Sequence, residues 1–163
     1  MIFAVLAKNH AGVLLRISGL FARRGFNIDS IIACRTEDPL YSRISLVTAG
    51  DDATFAQITR QLLKLEDVVR VEMLHPDACA ASELLLMKLT TAPEVRAALL
   101  LDIQSMGGRV LDIGSETVTV ELTGGTALLD EFTARLTPYG IRELARSGIS
   151  ALERGDSAIA DHI

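Results

Sequence analysis

The chain has 163 residues, 49% apolar and 4% aromatic, enough for one ordinary domain or two small ones with a core of Leu, Ile, Val and Ala. The net charge is −5, with both signs scattered along the chain. No basic block is denser than Arg23-Arg24, which disfavours nucleic acid as a partner, and no apolar run approaches the ~20 residues of a membrane span.

Cys34 and Cys79 are too far apart for a C-x-x-C motif, and two thiols cannot complete a zinc site. No disulfide is expected, and Cys34 reads as a buried, inert thiol. The apolar opening, residues 1–8, is too short for a signal segment with its cleavage site. The expectation is a soluble cytoplasmic protein.

In chain order, residues 2–7 are apolar on both faces and predict a central strand. Lys8-Asn9-His10-Ala11-Gly12 is turn-like. Val13, Leu14, Ile17, Leu20 and Phe21 then fall on one helical face, ended by Gly25 as the C-cap glycine. Residues 26–35 predict a strand, 36–39 a turn and 41–49 the returning strand. Gly50-Asp51-Asp52 breaks the pattern and supplies an N-cap. Phe55, Ile58, Leu62 and Leu65 mark a second amphipathic helix, and 68–74 a fourth strand.

Residues 75–82 are small and polar, and the pattern then restarts. A strand is expected at 83–89. A helix starting at Thr91 and Pro93 carries Val95, Leu99, Ile103 and Met106. Strands follow at 110–113 and 117–122, the latter with Val118, Val120 and Leu122 on one face. Thr126 reads as the cap of a helix bearing Leu129, Phe132 and Leu136, and 141–145 is the last strand. The order strand–helix–strand–strand–helix–strand occurs twice, offset by roughly eighty residues. The fold class is α+β, two tandem ferredoxin-like βαββαβ domains. The boundaries read as 1–76, a linker 77–82, a second domain 83–148 and a partly ordered polar tail 149–163. The doubly apolar first strand requires that the second face of its sheet be covered or extended into a partner.

Catalytic constellations are scarce. His10, His75 and His162 have no partners at metal-ligand spacing. Gly114-Ser115-Glu116 lacks the spacing of a nucleophile elbow, and no phosphate-cradling glycine motif is present. Asp29, Glu37, Asp38, Asp51 and Asp52 lie near turns and read as caps and solvated loop ends. No catalytic residue and no metal ligand is assigned. The best binding candidate is Asn9, His10, Ala11, Gly12, Val13 and Leu14. There, unpaired N–H groups and the positive end of a helix dipole suit a small carboxylate. Gly12 allows close backbone approach, and Asn9 offers both a donor and an acceptor. On the residues alone, an ordinary cap and turn explain this segment as well.

Asn9-His-Ala-Gly-Val-Leu, followed by Arg16-Ile-Ser-Gly-Leu-Phe-Ala-Arg-Arg-Gly-Phe-Asn-Ile-Asp-Ser30, resembles the opening of an ACT domain, and more narrowly the acetolactate (acetohydroxyacid) synthase regulatory subunits. The likeness continues through Asp38-Pro-Leu-Tyr-Ser-Arg-Ile-Ser45 and Gln61-Leu-Leu-Lys-Leu-Glu-Asp-Val68 to Glu143-Leu-Ala-Arg-Ser-Gly148. The resemblance implies a non-catalytic subunit whose first domain is an ACT domain that dimerises and binds valine. Asn9 to Leu14 would form the loop, with Asn27 and Ile28 on a strand from the facing subunit. It implies a catalytic (large) subunit as partner. Thiamine diphosphate, Mg²⁺ and FAD would belong to that partner, with no cofactor in this chain. Valine feedback inhibition of branched-chain amino-acid biosynthesis is the implied role. A stand-alone ACT-domain sensor acting on transcription or another enzyme is the alternative.

Overall fold

The computed structural model describes residues 1–161 and divides into two compact units. One is Met1–Ala81 together with the segment from Ile149 onward; the other is Ser82–Gly148.

In the first unit, β1 (Ile2–Lys8) is central. It pairs antiparallel with β3 (Tyr41–Val47) on one side and β4 (Val68–Leu74) on the other. β2 (Ser30–Arg35) pairs with β3 and lies at the edge, giving the order β2-β3-β1-β4. Strand side chains alternate faces, so Phe3, Val5 and Ala7 face one layer of core. There they meet Val13, Ile17, Leu20 and Phe21 of α1 (Val13–Arg24) and Phe55, Ile58 and Leu62 of α2 (Asp52–Leu62). Each fully buried side chain of this kind contributes about 1.5–3 kcal/mol. Asp51 caps α2 by accepting the Thr54 N–H at 2.8 Å, the cap read from the sequence.

Ile2, Ala4 and Leu6 point the other way, and the C-terminal segment covers them. Ala151 and Ile159 pack with Leu74 and Cys79 into this second core. Residues 150–153, read from sequence as tail, form a strand, β9 (Ser150–Glu153), which pairs with β5 (Cys79–Thr90). Arg43 Nη2 donates to the Ala151 carbonyl at 2.7 Å, and Arg154 Nε donates to that of Cys79 at 3.2 Å. The second face of the sheet is therefore covered from within the chain. β5 also begins inside the stretch read as a linker, because its first residue, Cys79, is drawn into the second core.

Several local expectations differ. Residues 26–29 precede β2 rather than belonging to it. Gly25 closes α1 in the left-handed region (φ 70°), and the Phe26 N–H donates to the Phe21 carbonyl at 3.0 Å. The Phe26 ring turns inward against Phe21, and sheet pairing resumes only with the Asp29 N–H on Val47 O. Leu14, read onto the buried face of α1, is exposed, whereas Val13 is buried. Cys34 is exposed, since β2 is an edge strand with little packed over it.

The second unit repeats the plan with the sheet order β6-β7-β5-β8, where β6 is Arg109–Ile113, β7 Thr117–Gly124 and β8 Ile141–Arg146. Leu85, Met87, Leu89, Val118, Val120 and Leu122 pack against Leu99 and Ile103 of α3 (Pro93–Ser105) and Leu129, Phe132 and Leu136 of α4 (Thr126–Leu136). Pro93 sits in the first turn of α3 as expected. Gly125, not Thr126, is the cap position of α4, and Val95 faces solvent. The helix–sheet architecture is α+β, two ferredoxin-like units in tandem.

Candidate functional site

The segment between β1 and α1 is held by its neighbours rather than by its own helix. Gly12 is the N-cap residue at φ 91°, ψ −12°, a left-handed conformation that favours glycine, and no side chain caps the helix start. A Cβ built on Gly12 would meet no atom within 4 Å. The start of α1 thus has no side-chain cap, and there is open space where a Gly12 side chain would stand; the first N–H groups of a helix and its positive dipole end suit a carboxylate.

Asn9 is not the helix cap. Its backbone N–H donates to Leu40 O at 2.7 Å and its Nδ2 to Pro39 O at 2.9 Å, while its Oδ1 accepts from Ser42 Oγ at 3.0 Å. These bonds pin the loop to the β2–β3 turn and leave one amide hydrogen and one lone pair for a further partner. His10 Nδ1 lies 3.1 Å from Ala11 O, and its Nε2 lies 2.8 Å from Asp67 Oδ1. Asp67 also accepts from Arg16 Nη1. Sequence reasoning passed over Asp67, because it stands more than fifty residues from both partners and only folding brings it to them. The side chain of Val13 is committed to the core. Leu14 is exposed beside the helix start and can offer apolar surface.

Asn27 and Ile28 are not brought to this loop within one chain. They follow the opposite end of α1, whose 12 residues span about 18 Å. Asn27 Nδ2 donates to Asp29 Oδ1 at 2.6 Å, its carbonyl accepts from Thr48 Oγ1 at 2.6 Å, and Ile28 leans on the first core. A cavity of about 710 Å³ in the first unit lies elsewhere, on the face bounded by Arg35, Tyr41, Arg43, Glu72 and the C-terminal segment; none of the eight candidate residues lines it.

Among the described residues no group of three or more His, Cys, Asp or Glu side chains could hold a metal ion. His75 precedes the short turn that leads into β5, and His162 lies outside the described residues. Asp38 Oδ1 accepts from Leu40 N at 2.9 Å, a turn role like that of Asp51 at its helix. No helix among the described residues is long and apolar enough to cross a membrane.

In the second unit two clusters are structural. Arg146 is bidentate to the buried Glu83 (Nε–Oε1 2.9 Å, Nη2–Oε2 2.6 Å) and also reaches Asp130 at 2.6 Å, tying β8 to β5 and α4. Asp102 of α3 accepts from Arg135 Nη2 at 2.7 Å and from the Tyr139 hydroxyl at 2.6 Å. The hydrogen bonds from Arg135 and then Tyr139 hold its carboxyl below the usual carboxylate range.

Residues 3–70 match the family described as an AHAS small subunit-like ACT domain, and residues 82–155 the one described as the small subunit of acetolactate synthase. The probable acetolactate synthase small subunit of Methanothermobacter thermautotrophicus is 39% identical, covering 94% of this chain and 92% of its own length. The acetolactate synthase isozyme 3 small subunit of Escherichia coli is 38% identical, covering 95% of this chain and 96% of its own. The crystal structure of the acetolactate synthase small subunit from Thermotoga maritima superposes with a TM-score of 0.88 at 32% identity, covering 96% and 98% of the two chains. With both halves matched and relatives aligned over more than nine-tenths of each chain, the chain belongs to the acetolactate synthase small-subunit family.

Proposed function

We propose that this chain is the regulatory subunit of an acetolactate synthase, raising the activity of a catalytic large subunit and conferring feedback inhibition by valine. The observation that carries the ligand assignment is the uncapped start of α1 at a left-handed Gly12 with open space over it. The ligand carboxylate would meet the N–H groups of residues 12–14. Its ammonium would meet the spare acceptor capacity of Asn9, and a small branched side chain the apolar surface at Leu14.

The site would be completed by a second copy. β2 is an edge strand, and an exposed edge invites pairing with its own symmetry mate. Such pairing would carry the partner copy's strand and its preceding segment, equivalent to Asn27 and Ile28, toward the Gly12 loop. One chain alone keeps these groups apart by the length of α1, so the dimer is part of the reading. Thiamine diphosphate, Mg²⁺ and FAD would reside on the catalytic subunit, in the cytoplasm, and this chain would contribute no catalytic group.

Regulation of this kind is a coupling free energy, about 1–3 kcal/mol, and it is reciprocal. Calorimetric titration of valine, leucine and isoleucine into the chain, with and without the catalytic subunit, tests it. Valine affinity should differ between the two conditions by the factor with which valine shifts subunit affinity. Equal valine affinity in both excludes equilibrium coupling. A sensor acting without a synthase would bind valine and leave a thiamine-dependent enzyme unaffected.

A further inference from the structure

Asp67 lies in the turn before β4, and its side chain is only 8% exposed, whereas those of its two partners, His10 and Arg16, are 45% and 53% exposed. Two exposed groups therefore reach inward to one buried carboxylate. Its main chain takes part as well: Asp67 O accepts the Lys8 N–H at 2.8 Å. Lys8 and His10 lie before Gly12, and Arg16 lies after it. The Arg16 N–H donates to Gly12 O at 3.0 Å, closing the first turn of α1. One residue, far away in sequence, thus grips the loop at three points on both sides of its glycine. A side chain at Gly12 would find nothing within 4 Å to pack against.

Burying a lone carboxylate is costly, and a buried one retained with two donors is consistent with a need for defined geometry at that place. Arg16 also offsets the negative charge that would otherwise oppose a carboxylate arriving at the helix start. On the reading that the Gly12 loop binds an amino acid, we propose that Asp67 is the positioning residue of that site. Its carboxylate, held by His10 and Arg16, sets residues 9–12 so that the first N–H groups of α1 converge on the ligand carboxylate before it binds. Asp67 does not touch the ligand.

The test is calorimetric titration of the full-length chain with valine, run beside amide hydrogen exchange, for wild type, Asp67→Asn, Arg16→Gln and Gly12→Asp. Asp67→Asn keeps the shape and one acceptor but removes the charge that holds both partners. It should weaken valine binding about tenfold, the cost of ordering the loop on binding instead of beforehand. It should also speed exchange at residues 9–13 while leaving β5 and β7 protected. Arg16→Gln, at an exposed position, should move both readouts the same way by less. If Asp67→Asn does not fold, Arg16→Gln decides alone. Valine affinity within twofold of wild type together with unchanged loop exchange overturns the proposal. If Gly12→Asp abolishes binding while Asp67→Asn binds normally, the site stands and the positioning role falls. If wild type binds no valine, the site assignment fails, and unchanged exchange in Asp67→Asn would still overturn the positioning role separately.

Discussion

Replacing Gly12 by Asp separates the chemistry of the loop from its folding. Gly12 sits at φ 91°, so any L-residue there is strained, but a Cβ meets nothing within 4 Å. The backbone cost is about 1 kcal/mol, and Asp tolerates this region better than most residues because its short polar side chain can bond locally. Against a domain stability of about 5–15 kcal/mol the variant should fold. The new carboxylate would stand at the mouth of the helix start, beside an incoming carboxylate. Two like charges about 4 Å apart repel by about 1 kcal/mol when fully solvated and about 4 kcal/mol under protein-like screening. Valine potency should therefore fall at least about fivefold, and up to several hundredfold, at about 1.4 kcal/mol per factor of ten. The assay is inhibition of the reconstituted synthase by valine, with Gly12→Ala as the control for backbone strain alone. Gly12→Ala should stay much closer to wild type than Gly12→Asp. An inhibition curve for Gly12→Asp superimposable on wild type would refute the placement of the ligand carboxylate at this helix start.

Three further outcomes are expected. Arg146→Ala strands the buried Glu83 carboxylate and should lower the unfolding free energy of the second unit by about 3 kcal/mol, read by urea denaturation. A change below 0.5 kcal/mol would show the pair to be dispensable. Ala151→Asp puts a charge against Ile2, Ala4 and Leu6 and should release the C-terminal segment at a cost of about 2–5 kcal/mol. Limited proteolysis should then cleave beyond Ile149, and an unchanged digest would contradict the covering role. Asp102, with its proton affinity lowered by Arg135 and then Tyr139, contributes stability that is present above the ordinary carboxylate range and lost as pH falls through its folded-state value. The difference in thermal midpoint between wild type and Asp102→Asn should therefore be full near neutrality and shrink below about pH 4; a difference that grows on acidification would reverse the assignment.

Local pattern was enough for the architecture. The period of apolar positions placed α1, α2 and the alternating β7, and Asp51, Gly25 and Pro93 marked ends because capping and left-handed turns are decided within four or five residues. The apolar continuity of β1 announced that both of its faces are buried. The glycine at the helix start was legible for the same reason, since conformational freedom is a property of the residue. What covers β1 was not legible: Ala151 and Ile159 are two apolar residues in a polar stretch, without a period, and only the return of the chain gives them a surface to bury. Asp67 was hidden likewise. A carboxylate near a turn looks like a solvated one until folding sets His10 and Arg16 beside it. The exposure of Cys34 followed from strand order, because edge or centre is a property of the sheet and not of the strand. Residue-level chemistry is written along the chain; burial and pairing between distant segments belong to the tertiary structure, because each depends on a neighbour that only long-range packing supplies.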